Sequence, residues 1–269
     1  MNPGSDRMPL DHASGDVGDE PAGRSHDAAE PQRFFFVHLQ KTAGTALFRR
    51  LRHHFGTGAV YPMPEYQGSP ESVLDVDLLV ARFEQHRPEV RVVTGHFPLC
   101  TVDRLGVPFA TFTVLREPVE RALSFLRHQR REEPRFRGAT LDEVYEDPVC
   151  REGLIRNHMV RMLSLSADEM TNGALTQMTV DEDRLATACD AFERRVDVVG
   201  VQERFEEFCD ALAGRFGWDL GRPQFANRTP PMQASDGLRA RIATDNEFDA
   251  RLYRFAQALI ARRGCVPVS

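Results

Sequence analysis

A single α/β domain, a parallel sheet flanked by helices, is the fold this sequence predicts. Three observations lead there. Short continuous apolar runs recur at 33–38, 90–94, 109–115 and 196–201. Such runs, bounded by turn residues, suit strands buried on both faces. Segments with helical spacing lie between them, and strands alternating with helices imply parallel βαβ units under right-handed crossovers. Finally, 269 residues without an internal repeat or an interdomain linker suffice for one substantial core.

Residues 1–32 come first and stand apart. They hold seven acidic residues against two arginines, so this segment carries −5 of the chain's net −6. It is rich in Asp, Gly, Ala and Pro and has no aromatic residue or periodicity, the composition of a disordered tail. The folded domain is expected over 33–269. Phe34, Phe35 and Phe36 dominate its first strand. From Gly44 to Phe55 a helix follows, with Leu47, Leu51 and Phe55 at every fourth position and arginines between them. The stretch 59–70, rich in Pro, Gly and Tyr, reads as a loop, and 71–86 as a helix. After the strand at 90–94 and the β-branched, aromatic strand at 109–115, Pro118 opens a helix to about Arg130, with proline in the first turn where its missing N–H costs nothing. The middle, 140–195, is mostly helical, with breaks near 164–167 and 172–173. A strand at 196–201, a helix at 203–216, a loop at 218–235 and a last helix at 245–263 complete the chain.

Composition narrows the function classes. Hydrophobic residues make up 41% and charged residues 28%, ordinary for a globular protein. No apolar run approaches the roughly 20 residues that span a bilayer. The opening residues lack a basic start and apolar stretch, so a cytoplasmic location is expected. Five dispersed cysteines without a CxxC pair, and histidines without HExxH spacing, predict reduced thiols and no metal site. A nucleic-acid partner is not expected, and the oligomeric state is not legible.

One residue is singular: of 34 basic residues only Lys41 is lysine. It lies in Gln40-Lys41-Thr42-Ala43-Gly44-Thr45, where the first strand breaks into a helix. Lysine is a compact point charge with three donors, arginine a broad planar fork. A position that keeps lysine in an arginine-saturated chain needs a small ammonium in a narrow space. Ligands of parallel sheets bind beyond the carboxyl ends of the strands, and a helix starting there directs free N–H groups at them, which favours phosphate. The small residues Thr42, Ala43, Gly44 and Thr45 permit close approach. This is P-loop-like logic, although lysine precedes the glycine and no upstream glycine frames the loop. A second motif, Arg116-Glu117-Pro118-Val119-Glu120-Arg121-Ala122-Leu123-Ser124, ends another strand with an arginine able to clamp a phosphate and a serine eight residues on.

Together the two motifs resemble those of the sulfotransferases that use 3′-phosphoadenosine 5′-phosphosulfate (PAPS), in the branch of the Golgi carbohydrate enzymes such as heparan sulfate 6-O-sulfotransferases. The segments Asn157-His158-Met159-Val160-Arg161-Met162-Leu163 and Val198-Val199-Gly200-Val201-Gln202-Glu203-Arg204-Phe205 also resemble that branch, so the likeness spans about 33–260. Ala43-Gly44 departs from it, since the branch often has two glycines there. The resemblance implies transfer of a sulfuryl group from PAPS to an acceptor hydroxyl on a carbohydrate, glycolipid or other small molecule, without metal. Residues 41–45 would hold the 5′-phosphosulfate, including the two threonine hydroxyls. Lys41 would stabilise the leaving oxygen, and Arg116 and Ser124 would hold the 3′-phosphate.

His96, ending the second strand in Thr94-Gly95-His96-Phe97-Pro98, is the expected base, because histidine titrates near neutral pH and the family carries a base histidine after this strand. His38, inside the first strand, and His158, on a middle helix, are the competing candidates. Other readings of the fold are a small-molecule P-loop kinase and a nucleotide-binding module without catalysis. For the acceptor, the Arg127, Arg130, Arg131, Arg135 and Arg137 cluster offers an anionic-glycan surface, and Tyr61 and Tyr66 a sugar or lipid wall.

Overall fold

The computed structural model describes residues 32–221 and 232–263. The acidic tail, apart from Gln32, lies outside the described residues, as do Cys265 and the middle of the expected 218–235 loop. Five strands form one sheet: β1 (Arg33–Val37), β2 (Val60–Tyr61), β3 (Val92–Gly95), β4 (Phe109–Leu115) and β5 (Val198–Val201). Their order is β2-β3-β1-β4-β5, and every pairing is parallel. The helices are α1 (Gly44–Phe55), α2 (Glu71–Leu74), α3 (Val76–Gln85), α4 (Thr101–Leu105), α5 (Pro118–Glu132), α6 (Leu141–Glu146), α7 (His158–Ser164), α8 (Glu182–Arg194), α9 (Phe205–Phe216), α10 (Asp236–Asp245) and α11 (Glu247–Arg263).

The alternation of side chains along β1 explains the layers. Phe34 and Phe36 face a core formed with Leu47 and Leu51 of α1, Phe208 and Leu212 of α9, and Trp218. Phe35 and Val37 face the opposite core, with Leu79 and Phe83 of α3 and residues of α7, α8 and α11. Each fully buried side chain of this size stabilises the fold by about 1.5–3 kcal/mol, so two apolar faces explain the continuous phenylalanine run. A third cluster joins α5, α6 and α10 beside the sheet.

Three expectations need correction. The 59–70 loop contains β2, whose two residues are too short to show a period, and Tyr61 is a core residue there. The expected 71–86 helix is two helices, because Asp75 has extended backbone and its carboxylate caps the N–H of Leu78. Helices α4 and α10 were not expected at all. Cys100, Cys150, Cys189 and Cys209 are free thiols. Among the described residues no helix is long and apolar enough to cross a membrane.

Candidate functional site

Central strand β1 lies between β3 and β4, so the tips of these three strands meet at one edge of the sheet. The loop leaving β1 is built on alternating handedness. Lys41 (φ 67°) and Ala43 (φ 69°) are left-handed, while Gly44 begins α1. Left-handed backbone costs an ordinary residue about 1–2 kcal/mol. Alternation of this kind turns successive N–H groups toward one point, a concavity that binds anions. The helix's own hydrogen bonds begin with the Ala46 N–H donating to the Ala43 carbonyl at 3.0 Å, which leaves the N–H groups of 42–45 ahead of the ladder. The Thr42 hydroxyl is turned inward and donates to the Leu39 carbonyl at 2.7 Å, fully buried. Of the two threonines, only Thr45 keeps an outward side chain.

Lys41 is half-buried. Burial, and then the charges of Arg131 and Arg116, hold its ammonium below the usual lysine range. Arg116, at the tip of β4, donates through Nη1 to the Lys41 carbonyl at 3.2 Å, which ties the two motifs together. The Thr113 hydroxyl of β4 donates to the Val37 carbonyl at 2.7 Å and fixes the strand end from which the loop departs. Glu117 caps the N–H of Glu120 at 2.8 Å, so α5 starts directly after Arg116. Half-buried Ser124 follows on α5, and Arg127, His128 and Arg131 continue its face at spacings of three, four and seven. His128 Nδ1 lies 3.3 Å from Arg131 Nη2, and burial followed by the charges of Lys41 and Arg131 lowers its pKa. The helical spacing of this stripe was present in the sequence, but His128 was passed over.

On the other side of the loop stands His96. Its Nδ1 is 3.0 Å from the His38 carbonyl, so Nδ1 carries the hydrogen and the Nε2 lone pair is free. Its backbone N–H donates to the Val73 carbonyl at 2.7 Å. Burial lowers its pKa to about 4, opposed by the His38 hydrogen bond and reinforced by Lys41. The ring is therefore neutral at ordinary pH and able to accept a proton. The backbone approach is close here: Gly95 (φ 148°) has Phe97 where a β-carbon would stand, 2.2 Å from a ring carbon.

His38, one residue past the end of β1, is half-buried beside His96. Its ring stacks on Phe36 with centroids 5.0 Å apart and lies 4.4 Å from the His96 ring. Burial, then His96, holds its pKa well below the usual histidine range. A β-carbon on Gly44 would fall 1.7 Å from His38 Nε2. Gly44 is thus required by the histidine packed against it, a contact between residues six apart that no local pattern displays. His158, the third candidate, is fully buried in α7 with Nδ1 3.4 Å from Arg161 Nη2. Its segment is structural: Asp249 accepts from the N–H groups of Met159 and Val160 at 3.0 and 2.8 Å, and buried Arg121 donates to the carbonyls of Leu154 and Ile155.

A cavity of about 150 Å³ opens over His96, walled by His38, Phe48, Pro62 and Val73. A larger space, about 700 Å³, lies between Arg156, Gln177 and Phe248 and contains none of Lys41, His96 or Arg116. Tyr66 is engaged elsewhere, 2.8 Å from His86 Nε2. Most arginines of the expected glycan-binding cluster also have partners: Arg127 donates to the Met232 carbonyl, Arg130 to the Ala139 carbonyl, Arg131 to Glu132 and Arg135 to Asp147. Among the described residues no three His, Cys, Asp or Glu side chains converge on a common point.

No family model matches the chain, and no curated protein matches it. Among solved structures, a sulfotransferase from Alicyclobacillus acidocaldarius is similar, with 20% sequence identity, a TM-score of 0.49, and coverage of 86% of this chain and 96% of that one.

Proposed function

We propose that this protein transfers a sulfuryl group from PAPS to an acceptor hydroxyl. The observation that carries the reading is the meeting, at one sheet edge, of an anion-binding loop holding Lys41, an arginine bonded to that loop, and a histidine with a free Nε2. The N–H groups of Thr42, Ala43, Gly44 and Thr45, with the Thr45 hydroxyl, bind the 5′-phosphosulfate. Arg116 and Ser124 bind the 3′-phosphate. The acceptor oxygen attacks sulfur while its proton passes to His96 Nε2. The bond from sulfur to the bridging oxygen breaks, and its electron pair stays on that oxygen as 3′-phosphoadenosine 5′-phosphate (PAP) leaves. Lys41 neutralises the charge growing there, an electrostatic contribution preorganised by the loop.

Isothermal titration of the protein with PAP and with ADP tests the donor assignment. Tight binding of PAP and much weaker binding of ADP is expected, because the 3′-phosphate engages Arg116 and Ser124. Equal affinity for the two overturns it.

A further inference from the structure

The walls of the cavity over His96 carry information about the acceptor that the donor loop does not. Within the sulfuryl-transfer reading, the acceptor hydroxyl must reach His96 Nε2 through this space. Its sides are Phe48 on α1, Pro62 after β2 and Val73 on α2. Three separate elements each contribute an apolar group. The Thr94 hydroxyl beside them is already committed, donating to the Tyr61 carbonyl at 2.8 Å. His96 Nδ1 is held by the His38 carbonyl. With the Thr45 hydroxyl given to the donor, that leaves His96 Nε2 and the His38 ring to meet a polar ligand.

Such a lining disfavours a sugar. A pyranose brings several hydroxyls, and each one buried without a partner costs about 1–3 kcal/mol. The volume, about 150 Å³, falls below the usual range of ligand pockets and admits one ring or a short chain. The charges point the same way. Lys41, Arg116 and Arg131 bear on one another on the β4 side of the loop, where the phosphates of the donor bind. Among the described residues no carboxylate or guanidinium lines this cavity.

We infer that the acceptor is a hydroxyl carried on a compact apolar body, a phenol or an aliphatic alcohol, inserted hydroxyl-first between Phe48, Pro62 and Val73. Its oxygen forms the new bond to sulfur, its proton goes to His96, and PAP departs. The inference rests on the sulfuryl-transfer reading, and the test keeps the two apart. Purified protein and PAPS are incubated with phenol, 1-hexanol, a neutral disaccharide and a uronate-containing disaccharide. PAP release and the mass gain of one SO₃ are followed, with PAP affinity measured in parallel. Sulfation of phenol or hexanol, with neither disaccharide modified, is expected. Val73→Asp raises KM for the alcohol by about tenfold or more, the scale on which apolar pockets discriminate, and leaves PAP affinity unchanged. Sulfation of a disaccharide in preference to both alcohols overturns the inference, as does PAP binding without sulfation of either alcohol. Failure to bind PAP instead removes the donor reading.

Discussion

On the β4 side of the Lys41 loop the charges are cationic: Arg116 bonded to the loop, then Arg127 and Arg131 along one face of α5, with Ser124 and His128 on the same face. On the β3 side the groups are apolar or neutral: Phe48, Pro62, Val73 and a histidine whose pKa lies near 4. A transferase for a highly charged donor and a neutral acceptor needs both, and needs them apart. Cations near the base would keep it unprotonated but attract phosphate to the wrong side. Apolar walls around the phosphates would raise the desolvation cost of binding them. In the proposed reaction, the single backbone loop between the flanks would let one lysine serve the atom where the two substrates meet. Variants on either flank should therefore fail differently, and that difference is what can be broken.

His96→Ala carries the largest expected effect. Removing a general base costs about 10²–10⁴-fold in turnover, and the loss should fall on kcat while PAP affinity stays unchanged. A parallel loss of PAP affinity would mean that the two flanks are not separate. The same histidine gives a pH test. Its folded pKa is depressed to about 4, from an ordinary value near 6.5. The neutral, proton-accepting form therefore persists as pH falls through 6 and 5, and NMR titration of the His96 ring should show protonation only near pH 4. Linkage has the opposite face: between the two values the unfolded chain binds a proton that the folded one refuses, so stability declines as pH drops below about 6.5. A ring that titrates near 6.5 would place His96 in water rather than in this pocket.

Lys41→Ala comes next, with an expected loss of about 10²–10³-fold in kcat, the usual scale for removing a preorganised donor at a developing anion. Lys41→Arg sharpens the comparison. It keeps the charge but offers a broad fork on a left-handed residue inside a narrow loop. Turnover should fall nearly as far as in the alanine variant. Full activity in the arginine variant would mean that charge alone matters and that the chain's lone lysine is incidental.

How much of this was readable beforehand follows from the range of each interaction. Helix α1 and strands β1 and β4 were legible because period and composition act within a few residues. The turn at 40–45 between β1 and α1 was legible because an apolar run breaks there into small polar residues ahead of a helical pattern. The His38–Gly44 packing, the Arg116 bond to the Lys41 carbonyl and the Phe48–Pro62–Val73 wall were not, since each joins elements that only the fold brings together. Thr42 looked like a phosphate ligand by its hydroxyl, yet that hydroxyl closes the turn onto Leu39. Strand β2 left no signal, having two residues.

Arg116→Ala tests the cationic flank and should act on binding. A hydrogen bond to a charged group is worth about 1.5–3 kcal/mol, so PAP affinity should drop by about ten- to a hundredfold, measured by calorimetry, while adenosine 5′-phosphosulfate, which lacks the 3′-phosphate, loses little. Equal losses for both ligands would show that Arg116 acts by holding the Lys41 loop rather than by meeting the 3′-phosphate. Both roles are open to one guanidinium, because its Nη1 already donates to the loop and its remaining donors are available in a fork.

Ser124→Ala is the smallest change and the cleanest. The residue is half-buried on α5, two turns beyond its start, so removing the hydroxyl leaves the helix and its cap intact. A neutral donor contributes about 0.5–1.5 kcal/mol, which corresponds to a roughly two- to tenfold weaker Kd for PAP. Because Ser124 is assigned to the 3′-phosphate alone, kcat at saturating PAPS should not move. Combined with Arg116→Ala the two losses should exceed or fall short of their sum if both groups hold the same phosphate, since groups sharing a partner are coupled. Strict additivity would separate them, and the 3′-phosphate would then have only one of the two as its ligand.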